Sequence, residues 1–475
     1  MNTVSNIGLN NNKGNAMRSI AFAASAITLA LLAGCSGKEA QDPFVEIDKN
    51  PYPSTYQPMS QMTVLIKGAT VLTGTGEKIM NADVLMEEGK IKAVGQNIEA
   101  GNAQVIDGTG KYVTPGIIDV HSHLGAYPSP SVESHQDGNE MTSPVTAEVW
   151  VEHSVWPQDP GFESARAGGI TSLQILPGSG NLIGGRGVTL KNVSSPTMQG
   201  MKFPDAPYGL KMACGENPKR VYGGRKEAPS TRMGNMAGYR GAWSQATEYK
   251  RAWDKYESDY QAGKNPVAPE RNLTMDTLVG VLEGDIKIHN HCYKAEEMAM
   301  MVDLSKEFGY HAGTFHHAIE GYKVADILAE NKVCAAMWPD WWGFKMEAYD
   351  MIPENAAVVD SYDNSCAIIH SDSDTTIQRL NQEAAKVMYR ANDNGFNISE
   401  EHAIGWITSK AAQSLGIDKT TGSLVTGKQA DVVIWNQSPF SVYAKAEQVF
   451  IDGAKVFDLN DPAYQAQSDF LLGQQ

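Results

Sequence analysis

Thr114-Pro115-Gly116-Ile117-Ile118-Asp119-Val120-His121-Ser122-His123 is the stretch on which the reading of this chain turns. A Pro-Gly pair marks a turn, an apolar run of strand length follows, and the run closes in His-x-His. Residues two apart in a strand face the same way, so His121 and His123 point at one spot. Alone, His-x-His is weak evidence. Its weight depends on what the rest of the chain brings to the same place.

Upstream, over residues 62–110, short apolar segments such as Thr63-Val64-Leu65-Ile66 alternate with the turns Gly74-Thr75-Gly76-Glu77 and Glu87-Glu88-Gly89. That texture predicts a small β-sandwich. Downstream of Gly116, apolar strands alternate with helical stretches, which is the signature of βα units around a parallel sheet. Eight strand candidates fall near 117–121, 170–176, 187–190, 209–213, 286–291, 312–317, 333–338 and 366–371, the third of them weakly marked. Helical stretches near 295–308 and 322–331 separate later ones. The predicted fold class is α/β: a (β/α)8 TIM barrel with a small discontinuous β-sandwich domain. Strand texture returns after Gly416, so residues 62–115 and 422–475 are expected to build the sandwich and 116–421 the barrel inserted between them.

The 475 residues carry 39 Lys plus Arg against 55 Asp plus Glu, a formal charge of −16, and 42% are hydrophobic. A chain this long and apolar is not globally disordered, and its acidity argues against a nucleic-acid partner. The N-terminus sets the expected compartment. Residues 20–32 are an apolar run too short to span a bilayer comfortably, preceded by Arg18 and ending in Leu32-Ala33-Gly34-Cys35-Ser36. This resembles a bacterial lipobox. Residues 1–34 are then a signal peptide, starting at Met1 or Met17, and Cys35 is a lipidated anchor in the outer membrane facing the periplasm. Residues 35–61, with Pro43, Pro51, Pro53 and Pro58, read as anchor and tether. A disulfide among the other four cysteines, Cys214, Cys292, Cys334 and Cys366, stays open and their spacing determines no pairing; each sits in or beside an apolar run, so buried free thiols are expected.

Three further groups stand at strand ends: His291 after the fifth strand, His317 after the sixth and Asp372 after the eighth. Imidazole and carboxylate ligands at the C-terminal mouth of a barrel suit zinc or a similar divalent ion. His316 is expected to point outward beside His317, while His289 and His370 share the inward face one layer deeper.

These motifs carry a resemblance. The stretch at 114–123, the segment Gly422-Ser423-Leu424-Val425-Thr426-Gly427-Lys428-Gln429-Ala430-Asp431, and His291-Cys292-Tyr293, Phe315-His316-His317 and His370-Ser371-Asp372 between them resemble the amidohydrolase superfamily, nearest its imidazolonepropionase-like and metal-dependent prolidase-like branch. The resemblance implies that His121, His123 and Asp372 hold one metal and that His291 and His317 hold a second. It further implies a bridging ligand from the fourth strand, Lys211 carboxylated by CO2. Glu216 is the rival that needs no modification, and a single-metal site stays open.

The implied chemistry is hydrolysis of a C–N bond. The metal, most simply zinc, acidifies a water, Asp372 acts as general base and then acid, and Tyr293 steadies the oxyanion. The segment from Glu216 to Arg240 is unusually basic, and Arg220 or Arg225 is expected to bind a substrate carboxylate. That expectation favours a dipeptide or N-acyl amino acid. A cyclic amidohydrolase or deaminase acting on a heterocycle is the alternative enzyme, and a non-catalytic binding lipoprotein is the alternative of another class. Trp338, Trp341 and Trp342 are candidates to wall the pocket, and a homo-oligomer is left open.

Overall fold

The computed structural model describes residues 41–129 and 131–464. Cys35 and the signal segment 1–34 lie outside the described residues. Of the unit formed by residues 1–43, only 41–43 are described, and they have no regular structure. Among the described residues no helix is long and apolar enough to cross a membrane.

Five strands lead into the site: β1 (Val64–Leu72), β2 (Lys78–Glu87), β3 (Lys90–Gly95), β4 (Gln104–Asp107) and β5 (Tyr112–Pro115). β2 and β3 form a hairpin whose two-residue turn, Glu88-Gly89, has positive φ at both positions. This backbone matches the right-handed twist of paired strands. Eight strands follow: β6 (Ile117–Ser122), β7 (Ile170–Ile175), β8 (Ile183–Lys191), β9 (Tyr208–Ala213), β10 (Ile286–Cys292), β11 (Thr314–His317), β12 (Cys334–Met337) and β13 (Ala367–Ile369). The chain ends in β14 (Val432–Trp435), β15 (Ala446–Ile451) and β16 (Ala454–Asp458).

The two chain ends share one sheet, as their common texture requires. β14 pairs antiparallel with β5, placing Val432 opposite Pro115 and Ile434 opposite Val113. The sequence leads one to expect a sandwich; the strands form a single mixed sheet in the order β16-β15-β14-β5-β1-β2-β3, with β4 also on β1. Its far edge curls back, since the Ile91 N–H donates to the Lys428 carbonyl and the Gly427 N–H to that of Ile91. Val64, Ile66, Val84, Val432, Ile434 and Phe450 fill the enclosed core.

β6 to β13 form the second sheet, in chain order. Each expected strand is present, but β8 runs antiparallel to both β7 and β9. The chain between β7 and β8 is only residues 176–182, too short for the crossover of a dozen or more residues that a parallel neighbour needs. β8 also carries a register shift at Gly185, where φ is +114° and a Cβ would lie 2.2 Å from the Val149 carbonyl oxygen. Only glycine fits this strand there. The barrel nearly closes through Asp372, whose N–H donates to the His121 carbonyl at 3.0 Å. Asp119 adds to the closure by accepting from the N–H and O–H of Ser371.

Helices cover the outside. In Ala295–Phe308 the buried Met298, Met301, Val302 and Ser305 make one stripe, and Gly309 stops the helix in the left-handed conformation.

Two expectations change. Cys214 pairs with Cys292 and Cys334 with Cys366, at Cα separations of 5.2 and 4.5 Å. Each pair lies next to a register pair of adjacent strands, Ala213 with His291 and Ala335 with Ala367, a proximity that sequence separations of 78 and 32 conceal. The expected tether is also not free over residues 44–56. Phe44 stacks on Tyr256, the Thr55 N–H donates to the Gln199 carbonyl, and the buried Tyr56 donates its O–H to Asp452 at 2.6 Å.

Candidate metal centre

The strand ends bring the expected ligands together. His123 Nε2 lies 3.1 Å from Asp372 Oδ1, His121 Nε2 lies 3.4 Å from the same oxygen, and His317 Nδ1 lies 3.9 Å from Oδ2. Lys211 Nζ is 3.1 Å from His121 Nε2. His291 packs against His317 with ring centroids 4.6 Å apart. Two sets have donor atoms within 4.8 Å of one another: His121, His123 and Asp372, and His121, His317 and His370. The sequence places His370 only one layer deeper.

Local backbone explains the convergence. β6 delivers His121 and His123 by alternation, and the Leu176 carbonyl accepts from His123 Nδ1 at 2.8 Å, which leaves Nε2 facing Asp372. β11 breaks the alternation. Register sets His316 beside His291 on the inward face, and the positive φ of His317 and Ala318, +70° and +36°, turns His317 into the barrel as well. His316 is therefore not outward. Its Nδ1 lies 3.0 Å from His121 Nδ1 and its Nε2 2.9 Å from His289 Nδ1, a chain of imidazoles that fixes the His121 ring. Asp372 is also left-handed, with φ of +51°. Such conformations in bulky residues persist where surrounding structure holds them.

Burial governs the charges. It pushes His121, His291, His316 and His317 well below the ordinary imidazole value, and His289 and His370 to about 3. These rings are neutral, the form that offers a lone pair to a metal. Desolvation also lowers Lys211, to about 8. Desolvation works to raise Asp372, but the adjoining His123 and Lys211 outweigh it and hold this carboxyl below its usual range. His317 Nδ1, His289 Nε2 and His370 Nδ1 are buried without a hydrogen-bond partner. A carboxylate among neutral imidazoles, one with an unsatisfied nitrogen beside it, is a donor set that fits a divalent cation.

The cluster opens into a cavity of about 360 Å³. A larger cleft of about 900 Å³ lies under residues 44–56 but contains none of the ligand residues, so donor chemistry rather than size marks the site. Tyr293 is buried, 4.7 Å from the His291 ring and 5.2 Å from that of His317, and burial raises its phenol far above the usual value. Glu216 opens the helix Glu216–Gly223 at the mouth and lies 3.4 Å from Lys345, outside both donor sets.

The expected basic loop is mostly helix. Arg220 lines the cavity and is exposed. Arg225 does not line it: its Nη1 donates to the Met141 carbonyl at 2.6 Å. Arg232 and Arg240 are spent on Glu296 and Glu307 across helix surfaces. Trp338 and Trp341 wall the pocket, whereas Trp342 is 61% exposed and does not. Lys345 and Asn217 also line the cavity, and no sequence signal singled them out.

A sequence profile of the amidohydrolase family matches residues 112–456. The amidohydrolase tasK of Hapsidospora irregularis is 31% identical over 425 residues, 84% of this chain and 42% of its own length. A D-hydantoinase of Geobacillus stearothermophilus is 51% identical over 63 residues, 13% of each chain. The chain thus spans less than half the length of these curated relatives. A solved amidohydrolase from Thermotoga maritima MSB8 superposes with a TM-score of 0.75 at 35% identity, covering 83% of this chain and 100% of that one.

Proposed function

The chain belongs to the amidohydrolase family, and from that premise we propose that it hydrolyses the C–N bond of a small amide with one or two divalent ions, zinc above all, held at the strand-end cluster. The observation that carries this reading is the convergence of His121, His123, His317 and Asp372, with Lys211 and His291 beside them. A bound divalent ion supplies Lewis acidity and lowers the pKa of water toward neutrality. His121, His123 and Asp372 would hold one ion, and His291 and His317 a second. Asp372, anionic, takes up a proton and returns it to the leaving nitrogen. The Tyr293 O–H, kept protonated by burial, would donate to the developing oxyanion.

Lys211 is the bridging candidate. An amine titrating at about 8 is partly neutral at neutral pH, and the neutral amine is the form that adds CO2 to become a carbamate anion. Metal analysis of purified variants tests this. Lys211→Met should lose one of two equivalents, and Glu216→Gln should lose none. Equal retention in both variants would remove Lys211 from the ligand set.

For the substrate, we favour a cyclic amide, in keeping with the imidazolonepropionase-like branch. The local similarity to D-hydantoinase and the flat indole wall of Trp338 and Trp341 support it. A dipeptide or N-acyl amino acid is the second reading, favoured by the cations Arg220 and Lys345 at the mouth. Metal-loaded protein should open hydantoin or dihydrouracil rings. Ninhydrin-positive products from dipeptides would establish the second reading, ammonia from heterocycles would establish a deaminase, and no turnover of any amide would sink the hydrolase.

The address is a separate proposal, resting on residues 18–36 alone. Cys35 anchors the protein to the outer membrane, facing the periplasm. Cys35→Ser should abolish incorporation of labelled palmitate and release the protein into the soluble periplasmic fraction; label retained by the variant would overturn the anchor.

A further inference from the structure

The loop after β12 carries a cation, Lys345, that the cyclic-amide reading leaves unused. Trp338 and Trp341 stack with centroids 4.6 Å apart and planes at 12°, and Phe344 meets them edge-on at 5.8 and 6.0 Å. Trp338 also stacks on His317 at 4.1 Å, so this wall starts at the ligand cluster and runs outward. Its outer end, Phe344, is 54% exposed. A planar group lying along the wall is brought up against the imidazoles.

Lys345 stands beside the wall. Its side chain is 17% exposed, and its ammonium lies 4.1 Å from the centroid of the Tyr293 ring. An ammonium has three donors. This one makes a 3.4 Å hydrogen bond to Asn217 Oδ1. The carboxylates of Glu216 and Glu347 lie 3.4 and 3.6 Å away, beyond the roughly 2.7–2.9 Å of a charge-assisted hydrogen bond. Glu347 is partly engaged elsewhere, because the Glu216 backbone N–H donates to it. This largely buried ammonium lines the cavity with its oxygen partners all at 3.4–3.6 Å, none at the distance of a tight charge-assisted hydrogen bond.

We propose that Lys345 is the specificity residue of this site, selecting substrates in which an anionic group, most simply a carboxylate, is attached to the planar ring that lies along Trp338 and Trp341. The proposal rests on the hydrolase reading of the adjoining cluster and names its substrate class. The carboxylate takes the place that Glu216 fills loosely, and the ring edge then faces His317. Arg220, exposed at the rim, adds attraction at longer range.

Titration calorimetry of the metal-loaded protein tests this. Uracil-5-carboxylate and uracil-5-carboxamide are planar, equal in size and different by one charge, and their aromatic ring resists opening. The carboxylate should bind about ten- to a hundredfold more tightly. Lys345→Met should abolish that preference, and Lys345→Arg should restore most of it. Equal affinity in the wild type, or no binding of either probe, overturns the proposal. So does a preference that survives in Lys345→Met, which would place the anion on the ligand cluster. Discrimination without turnover of any amide would sink the hydrolase reading and leave the subsite standing; turnover without discrimination would do the reverse.

Discussion

On the proposed hydrolase function, replacing Asp372 by Asn should lower kcat/KM for the amide substrate by about a thousandfold, within the range that a lost general base commands. The variant isolates charge from shape. Asn is isosteric with Asp and is among the few residues that tolerate a φ of +51°, so the turn after β13 and its hydrogen bond to the His121 carbonyl survive. What is lost is an anion facing His121, His123 and His317 at 3.4, 3.1 and 3.9 Å. The amide can neither neutralise a cation held by those imidazoles nor carry a proton to the leaving nitrogen. Steady-state kinetics with metal analysis of the same preparation gives the measurement: bound metal should fall along with turnover, and the unfolding midpoint should stay near that of the wild type. A variant keeping a tenth of the activity would remove Asp372 from the proton path.

The second large effect is on stability. Lys191, at the end of β8, is fully buried, with its ammonium 2.8 Å from Asp452, 3.7 Å from Asp431 and 3.0 Å from the Gln429 side-chain oxygen. Tyr56 donates to Asp452 at 2.6 Å and Thr421 to Asp431 at 2.6 Å. Barrel, terminal sheet and N-terminal segment therefore meet at one cation. Lys191→Met fills the same volume and leaves two buried carboxylates uncompensated, which should cost about 3–5 kcal/mol. Equilibrium urea unfolding checks it. Adding Asp452→Asn to the variant should recover part of the loss, since the remaining carboxylate then has no like-charged neighbour. A single variant within about 0.5 kcal/mol of wild type would show that this network is not holding the pieces together.

The sequence made the barrel and the strand-end cluster legible for one physical reason: side chains at strand ends inherit a period of two and a common face. His121, His123, His291, His317 and Asp372 follow from that rule. Where a backbone breaks it, the reading fails. His316, the register partner of His291, faces inward to His121, against expectation, and the left-handed turn at His317 brings the next ring in beside it. The direction of β8 was open to a stricter reading, since residues 176–182 are too few for a parallel crossover. Arg225 and Lys345 exchanged places because a loop's charge does not reveal its direction. The basic segment folds into helices that pair Arg232 and Arg240 on their surfaces, while a lone lysine among aromatic residues turns toward the cavity.

The crosslink between Cys214 and Cys292 joins the ends of β9 and β10 and encloses the excursion that contains the thirty-residue helix Arg232–Gln261. A protease that cuts inside that excursion leaves the two fragments covalently one molecule. Gels run without reductant would hide the nick, and the same holds for cuts between Cys334 and Cys366. Integrity of purified protein therefore has to be judged on reduced samples, or a clipped mouth will pass for an intact one.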